Sequence, residues 1–190
     1  MSNNKTPIIY DFDPRNLPAE YLHAIGLVTA ACAQTESVLQ DLIGALLEID
    51  NAKTIALTTH MSFPLKNDIL RTLAEIEAPD IKELDKLDEL LDAVKQALDK
   101  RNTIVHNAFA IHPDTREVFS LRAKARGSLQ YDLKKIPVQE IEHDAATIYQ
   151  AGVDIMSFMI SRGLSPQLRT TPLRGSVKRG VKARKERNDT

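Results

Sequence analysis

Arg101, Asn102, His106 and Asn107 fall within the string RNTIVHN, and their types and spacing suit work on a phosphodiester. A guanidinium is a permanent cation with a planar fork of donors that matches a phosphate. Imidazole is the side chain whose ordinary pKa suits proton transfer near neutrality. Together they are the tools needed to make a ribose 2′-hydroxyl attack its own phosphodiester without a metal. On a helix, five residues turn ~140° and rise ~7.5 Å, so Arg101 and His106 flank a groove instead of stacking on each other. Asn102 and His106, four residues apart, share a face, where the Asn amide can hold the imidazole in one tautomer.

The elements that must position these groups show in the apolar spacing. From Ala19 to about Asp50 two stripes with steps of three and four run side by side: Leu22, Ile25, Thr29, Cys32, Leu39, Ile43 and Leu46, and Val28, Ala31, Val38, Leu42, Ala45 and Ile49. A helix apolar on more than one side is covered on more than one side, so this one is central. A second long helix over Asp80 to about Asn107 carries Leu84, Leu87, Leu91, Val94, Leu98, Val105 and Ala108. Each stripe is broken by one charge, Glu36 in the first and Arg101 in the second, at positions where an unpaired ion costs several kcal/mol. Three readings fit. The two form a buried ion pair that only fixes helix register, or one stripe faces solvent locally, or Arg101 is kept inward and oriented by Glu36 because it lines a polar cleft or subunit interface.

The remaining chain fills in the architecture. Residues 1–17 have no helical period and form an irregular lead-in. Asn51–His60 reads as a short helix or turn, and Pro64–Glu77 as a helix with Leu65, Ile69, Leu70, Leu73 and Ile76 inward. Between Ala108 and Lys135 the period changes to two, in AFAIH, EVFSLRA and SLQYDL, which predicts a β-meander. A last helix over Val138–Arg162 carries Ile141, Ala145, Ile148, Ile155 and Met159, and Gly163 stops it. The fold class is all-α: an up-and-down bundle of three long helices plus a shorter one over 18–163, with the meander of 108–135 inserted before the last helix.

An Arg followed by four residues led by Asn and then His, near the end of a long helix in a helical domain of this size, resembles the Arg-x4–6-His motif of the HEPN superfamily. The resemblance covers about 18–163. It implies a homodimer whose two motifs meet in one composite cleft, and metal-independent endoribonuclease cleavage of single-stranded RNA leaving a 2′,3′-cyclic phosphate. In that scheme Arg101 clamps the phosphate, His106 is the general acid and base, Asn102 fills the polar slot after the arginine, and Glu36 orients. It further implies a toxin or defence role, with an antitoxin or other partner protein.

Composition bounds the alternatives. At 190 residues, 43% hydrophobic and 27% charged, the chain can bury one core. A single Cys32 excludes an internal disulfide, and it reads as a small core residue. His23, His60, His112 and His143 show no paired ligand spacing, so no metal is expected, and no phosphate-binding glycine loop occurs, so no cofactor is expected either. The start, MSNNKTPIIYDFDP, has neither a basic nor an apolar targeting segment, which predicts a cytoplasmic protein away from membranes. From Ser165 onward eight basic residues face two acidic ones, a net of +6, against −7 for the preceding 164 residues. This tail, 164–190, predicts a segment disordered when unbound. Its Lys178, Arg179, Lys182, Arg184 and Lys185, with Asn107, are candidate RNA contacts, since lysine and arginine without aromatics track a phosphate backbone but cannot read bases. Lys124, Arg122 and Arg126 on the meander can extend that positive surface. The alternatives are a non-catalytic binding module whose tail docks nucleic acid or a partner protein, and a purely structural dimer.

Overall fold

The computed structural model describes residues 8–77, 80–125 and 129–170, with the side chains of 124, 125 and 129 left aside. Five helices and one sheet follow in the order α1 (Ala19–Leu46), α2 (Asn51–Thr58), α3 (Phe63–Glu77), α4 (Ile81–His106), β1 (Ala108–Ile111), β2 (Val118–Ala125), β3 (Leu129–Lys135) and α5 (Val138–Ser161). This is the mostly helical architecture the spacing predicts, with the meander inserted before the last helix. The sheet is antiparallel in the order β1-β2-β3, and Asp11 of the lead-in bridges the free edge of β1 at Ile111. Among the described residues no helix is long and apolar enough to cross a membrane.

Helix ends follow local chemistry. Asp50 and Asp80 cap α2 and α4 by accepting the backbone N–H of Lys53 and Lys82. The first helix stops four residues earlier than the apolar spacing predicts. Glu48 takes a left-handed conformation, φ 51°, and the N–H groups of Glu48 and Ile49 bond back to the carbonyls of Ala45 and Gly44. That closing motif normally uses glycine, so a glutamate in its place left no stop signal to read. At the end of α5 the same motif has its usual residue, Gly163 at φ 66°.

Packing sets the directions. The Tyr21 hydroxyl donates to the Ile136 carbonyl and the Thr35 hydroxyl to the Ile148 carbonyl, each at 2.9 Å, so α1 and α5 run side by side in the same sense. Arg71 on α3 pairs with Asp88 and Asp92 on α4, and Lys100 on α4 pairs with Asp144 on α5, which sets α4 against both neighbours. The core lies where these helices meet, with Val28, Leu39, Leu42, Leu91, Val94, Ile148 and Ile155 fully buried.

Gly152 lets α1 and α5 approach. A methyl group there would lie 2.7 Å from Thr35 Oγ1, 2.8 Å from Gln34 Oε1 and 3.2 Å from the Thr35 Cα, the last of which is backbone and cannot swing aside. Gly152→Ala is therefore expected to lower the unfolding free energy by about 1–3 kcal/mol in urea denaturation. Gly26→Ala, also in α1 but with open space around it, is the control and should raise it by about 0.4–1 kcal/mol.

The inward face of α3 differs from the reading of its spacing. Leu65 and Ile76 are exposed, at 47% and 69%, whereas Lys66, Asn67, Leu70 and Ala74 are buried. Helix α4 turns similarly near its end, burying Ile104 while Val105 and Ala108 are exposed. In α1, Leu22 and Thr29 are exposed and Ala24 takes the inward position.

Candidate nucleic-acid cleft at the end of α4

Three elements converge around Arg101. Cys32 and Glu36 come from the middle of α1, Phe63, Pro64 and Asn67 from the first turns of α3, and Lys95, Leu98, Asp99, Arg101 and Asn102 from the last turns of α4. They line a pocket of about 310 Å³. Glu36 and Arg101, the two charges that break the stripes, thus face one concavity. They do not form an ion pair among the described residues. The cation beside Glu36 is Lys66, its Nζ 3.8 Å from Oε2. Lys66 is 2% exposed, so its ammonium needs a counter-charge, and Glu36 is the carboxylate in reach.

Arg101 turns to its neighbour: Nη1 donates to Asn102 Oδ1 at 3.1 Å. Its Nε is buried and has no hydrogen-bond partner among the described residues. The Asn102–His106 bond that the spacing allows is not formed among the described residues; the Asn oxygen accepts from the guanidinium. His106 is the exposed last residue of α4. It lines a second concavity of about 710 Å³ with Thr103, Asn107 and Arg122, and Asp99 and Asn102 line both concavities. Arg101 and His106 so flank one ridge of helix, as five residues of rotation require.

Asn107 ends α4 and turns the chain into β1. Its Nδ2 donates to Ser120 Oγ at 3.0 Å, stitching the helix end to β2. Lys178, Arg179, Lys182, Arg184 and Lys185 lie outside the described residues, as do Arg126 and the side chain of Lys124. Of the other histidines, His23, His60 and His143 are exposed, and His112 Nδ1 accepts the backbone N–H groups of Asp114 and Thr115 in the β1–β2 turn. No three His, Cys, Asp or Glu side chains come together as a metal-ligand set among the described residues.

Sequence reasoning missed Lys66, Asn67 and Phe63. The spacing Lys66, Leu70, Ala74 is helical but less apolar than the competing stripe through Leu65 and Ile76, so pattern alone points the wrong stripe inward.

Cys32 is buried at the pocket wall. Burial pushes its thiol above the ordinary range; Arg101 opposes that shift and Glu36 adds to it. A disulfide reagent is therefore expected to modify the native protein slowly at neutral pH, with the rate rising toward alkaline pH and jumping on unfolding in urea. Fast, stoichiometric labelling of the folded chain would contradict this.

Neither a family model nor a curated protein nor a solved structure matches the chain.

Proposed function

We propose that the chain is a metal-independent endoribonuclease of the HEPN type, acting on single-stranded RNA as a homodimer. The observation that carries this reading is the buried Arg101 Nε, a guanidinium donor with no hydrogen-bond partner among the described residues, on a residue that lines a concavity sharing Asp99 and Asn102 with the concavity of His106. A buried donor without a partner costs about 1–3 kcal/mol, and an anion such as a phosphate oxygen offsets that cost.

In this reading His106 takes the proton of the 2′-hydroxyl as its oxygen attacks phosphorus. Arg101 neutralises charge on the phosphorane, and the bond to the 5′-oxygen breaks with that oxygen gaining a proton. The products are a 2′,3′-cyclic phosphate and a 5′-hydroxyl end. The leaving 5′-oxygen takes its proton from water, so one His106 serves each cleft. The test is incubation of the purified protein with single-stranded RNA in excess EDTA. Fragments ending in 2′,3′-cyclic phosphate support the reading, and RNA that stays intact at all concentrations removes it.

One observation favours a second reading, a non-catalytic module whose tail docks nucleic acid or a partner protein. No side chain orients the exposed His106 imidazole by a hydrogen bond among the described residues, whereas a general base is ordinarily held. That reading gives RNA binding that weakens steeply with salt and disappears on deleting residues after Leu164.

A further inference from the structure

A second pocket, of about 350 Å³, opens where the ends of α1, α3 and α5 meet the start of α4. Leu46, Leu87, Phe158 and Leu164 give it apolar walls, and Glu48, Glu77 and Glu83 stand among them. Arg162 is the one cation in the lining, and it pairs with Glu83. Glu48 and Glu77 are exposed and have no ion pair among the described residues. An apolar hollow edged by two uncompensated carboxylates suits an occupant that is apolar and cationic at once.

The chain itself supplies one close by. Beyond Leu164 the backbone crosses to the start of α2, where the Asn51 N–H donates to the Gln167 carbonyl at 3.0 Å and the Arg169 guanidinium lies 4.0 Å from the Asp50 carboxylate. Asp50 is two residues from Glu48, hence within ~7 Å of it. Residues 171–190 lie beyond the described ones and begin TPLRGSVKRGVKAR, in which an apolar residue directly precedes a cation every four residues: Leu173-Arg174, Val177-Lys178 and Val181-Lys182. Leu173 follows Gln167 by six residues, a reach of up to ~20 Å. The first of these pairs can therefore turn back to the pocket.

We propose that this pocket is a docking site for the chain's own tail, with Leu173 in the apolar hollow and Arg174 on Glu48 and Glu77. Net charge favours the contact, because the tail is cationic and the rest of the chain acidic. Burial of one leucine side chain and exposed ion pairs, less the cost of ordering a few residues, leaves a contact of modest strength. While docked, Arg174 is withheld from any other anion. The contact needs neither RNA nor ribonuclease activity.

The test is limited trypsin digestion of the full-length protein, timing the cut after Arg174 against the same cut in a synthetic peptide of residues 165–190. Trypsin reaches only the undocked tail, so the ratio of the two rates reads the docked fraction. The cut should be about tenfold slower in the protein than in the peptide. Glu48→Gln combined with Glu77→Gln should bring it to within about twofold of the peptide. Both changes leave the tail sequence as it is, and both fall at exposed positions, so the fold is kept. Glu142→Gln, at an exposed position of α5 outside the pocket, is the control and should leave the protection unchanged. Equal rates in protein and peptide, or protection that survives the double change, would overturn the proposal. Protection that appears only as protein concentration rises also overturns it, since the occupant is then the tail of a second copy.

Discussion

Replacing His106 with alanine is expected to slow RNA cleavage by about 10²- to 10⁴-fold, and replacing Arg101 with alanine by about 10²- to 10³-fold. The first figure is the usual loss when a positioned acid or base is removed, and the second the loss of one preorganised donor to developing charge. Folding should survive both changes. His106 is exposed, so its replacement should alter stability by no more than about 0.5 kcal/mol, and Arg101→Ala gives up one side-chain hydrogen bond, to the exposed Asn102. Arg101→Lys should recover little, because an ammonium offers a point charge and not a fork.

A mixing experiment separates a shared site from an independent one. Arg101 and His106 lie in separate concavities of one protomer, so a cleft built by two copies would pair the arginine of one with the histidine of the other. Combining the Arg101→Ala and His106→Ala proteins under conditions that exchange subunits should then restore activity, since half of the paired sites in a mixed dimer are complete. A mixture no more active than either variant alone rejects the composite cleft, as does a protein that sediments as a monomer at micromolar concentration.

Much of the frame was legible because it depends on periodicity. The long helices, the switch to period two after Ala108, and the stop at Gly163 are each written in residue spacing or a single residue type. So was the pair of interruptions: Glu36 and Arg101 do line one concavity. What failed was the inference from facing positions to a bond. Two charges on inward stripes of different helices read as mutual partners only if nothing lies between them, and pattern within a helix says nothing about a third helix. The cation beside Glu36 is Lys66 on α3, and it was hidden because Leu65 and Ile76 made a more apolar stripe than the true one. The Asn102 error is of the same kind. Spacing of four allows a bond to His106 but does not require one, and the Asn oxygen accepts from a sequence neighbour instead.

Lys66 carries the second large expected effect. Its side chain is 2% exposed and its one ionic partner among the described residues is 43% exposed at 3.8 Å, beyond hydrogen-bond reach. Removing an ammonium from water costs several kcal/mol, and a carboxylate that is itself half in water returns only part of that. Lys66→Met, which keeps the length of the apolar stem, is therefore expected to raise the unfolding free energy by up to about 1–4 kcal/mol. Glu36→Gln, which leaves the cation uncompensated, should lower it by roughly 1–3 kcal/mol, less than for a fully buried pair because water reaches the Glu36 side. In the double variant that loss should vanish, and a double-mutant cycle in urea measures the coupling. The gain in stability should come with weaker RNA binding, since without Lys66 the Glu36 carboxylate faces the Arg101 pocket unneutralised and repels a phosphate. If Lys66→Met destabilises the protein and Glu36→Gln costs as much in its presence as in its absence, then Lys66 is retained for the packing of its stem, and its charge is not what holds this corner of the bundle together.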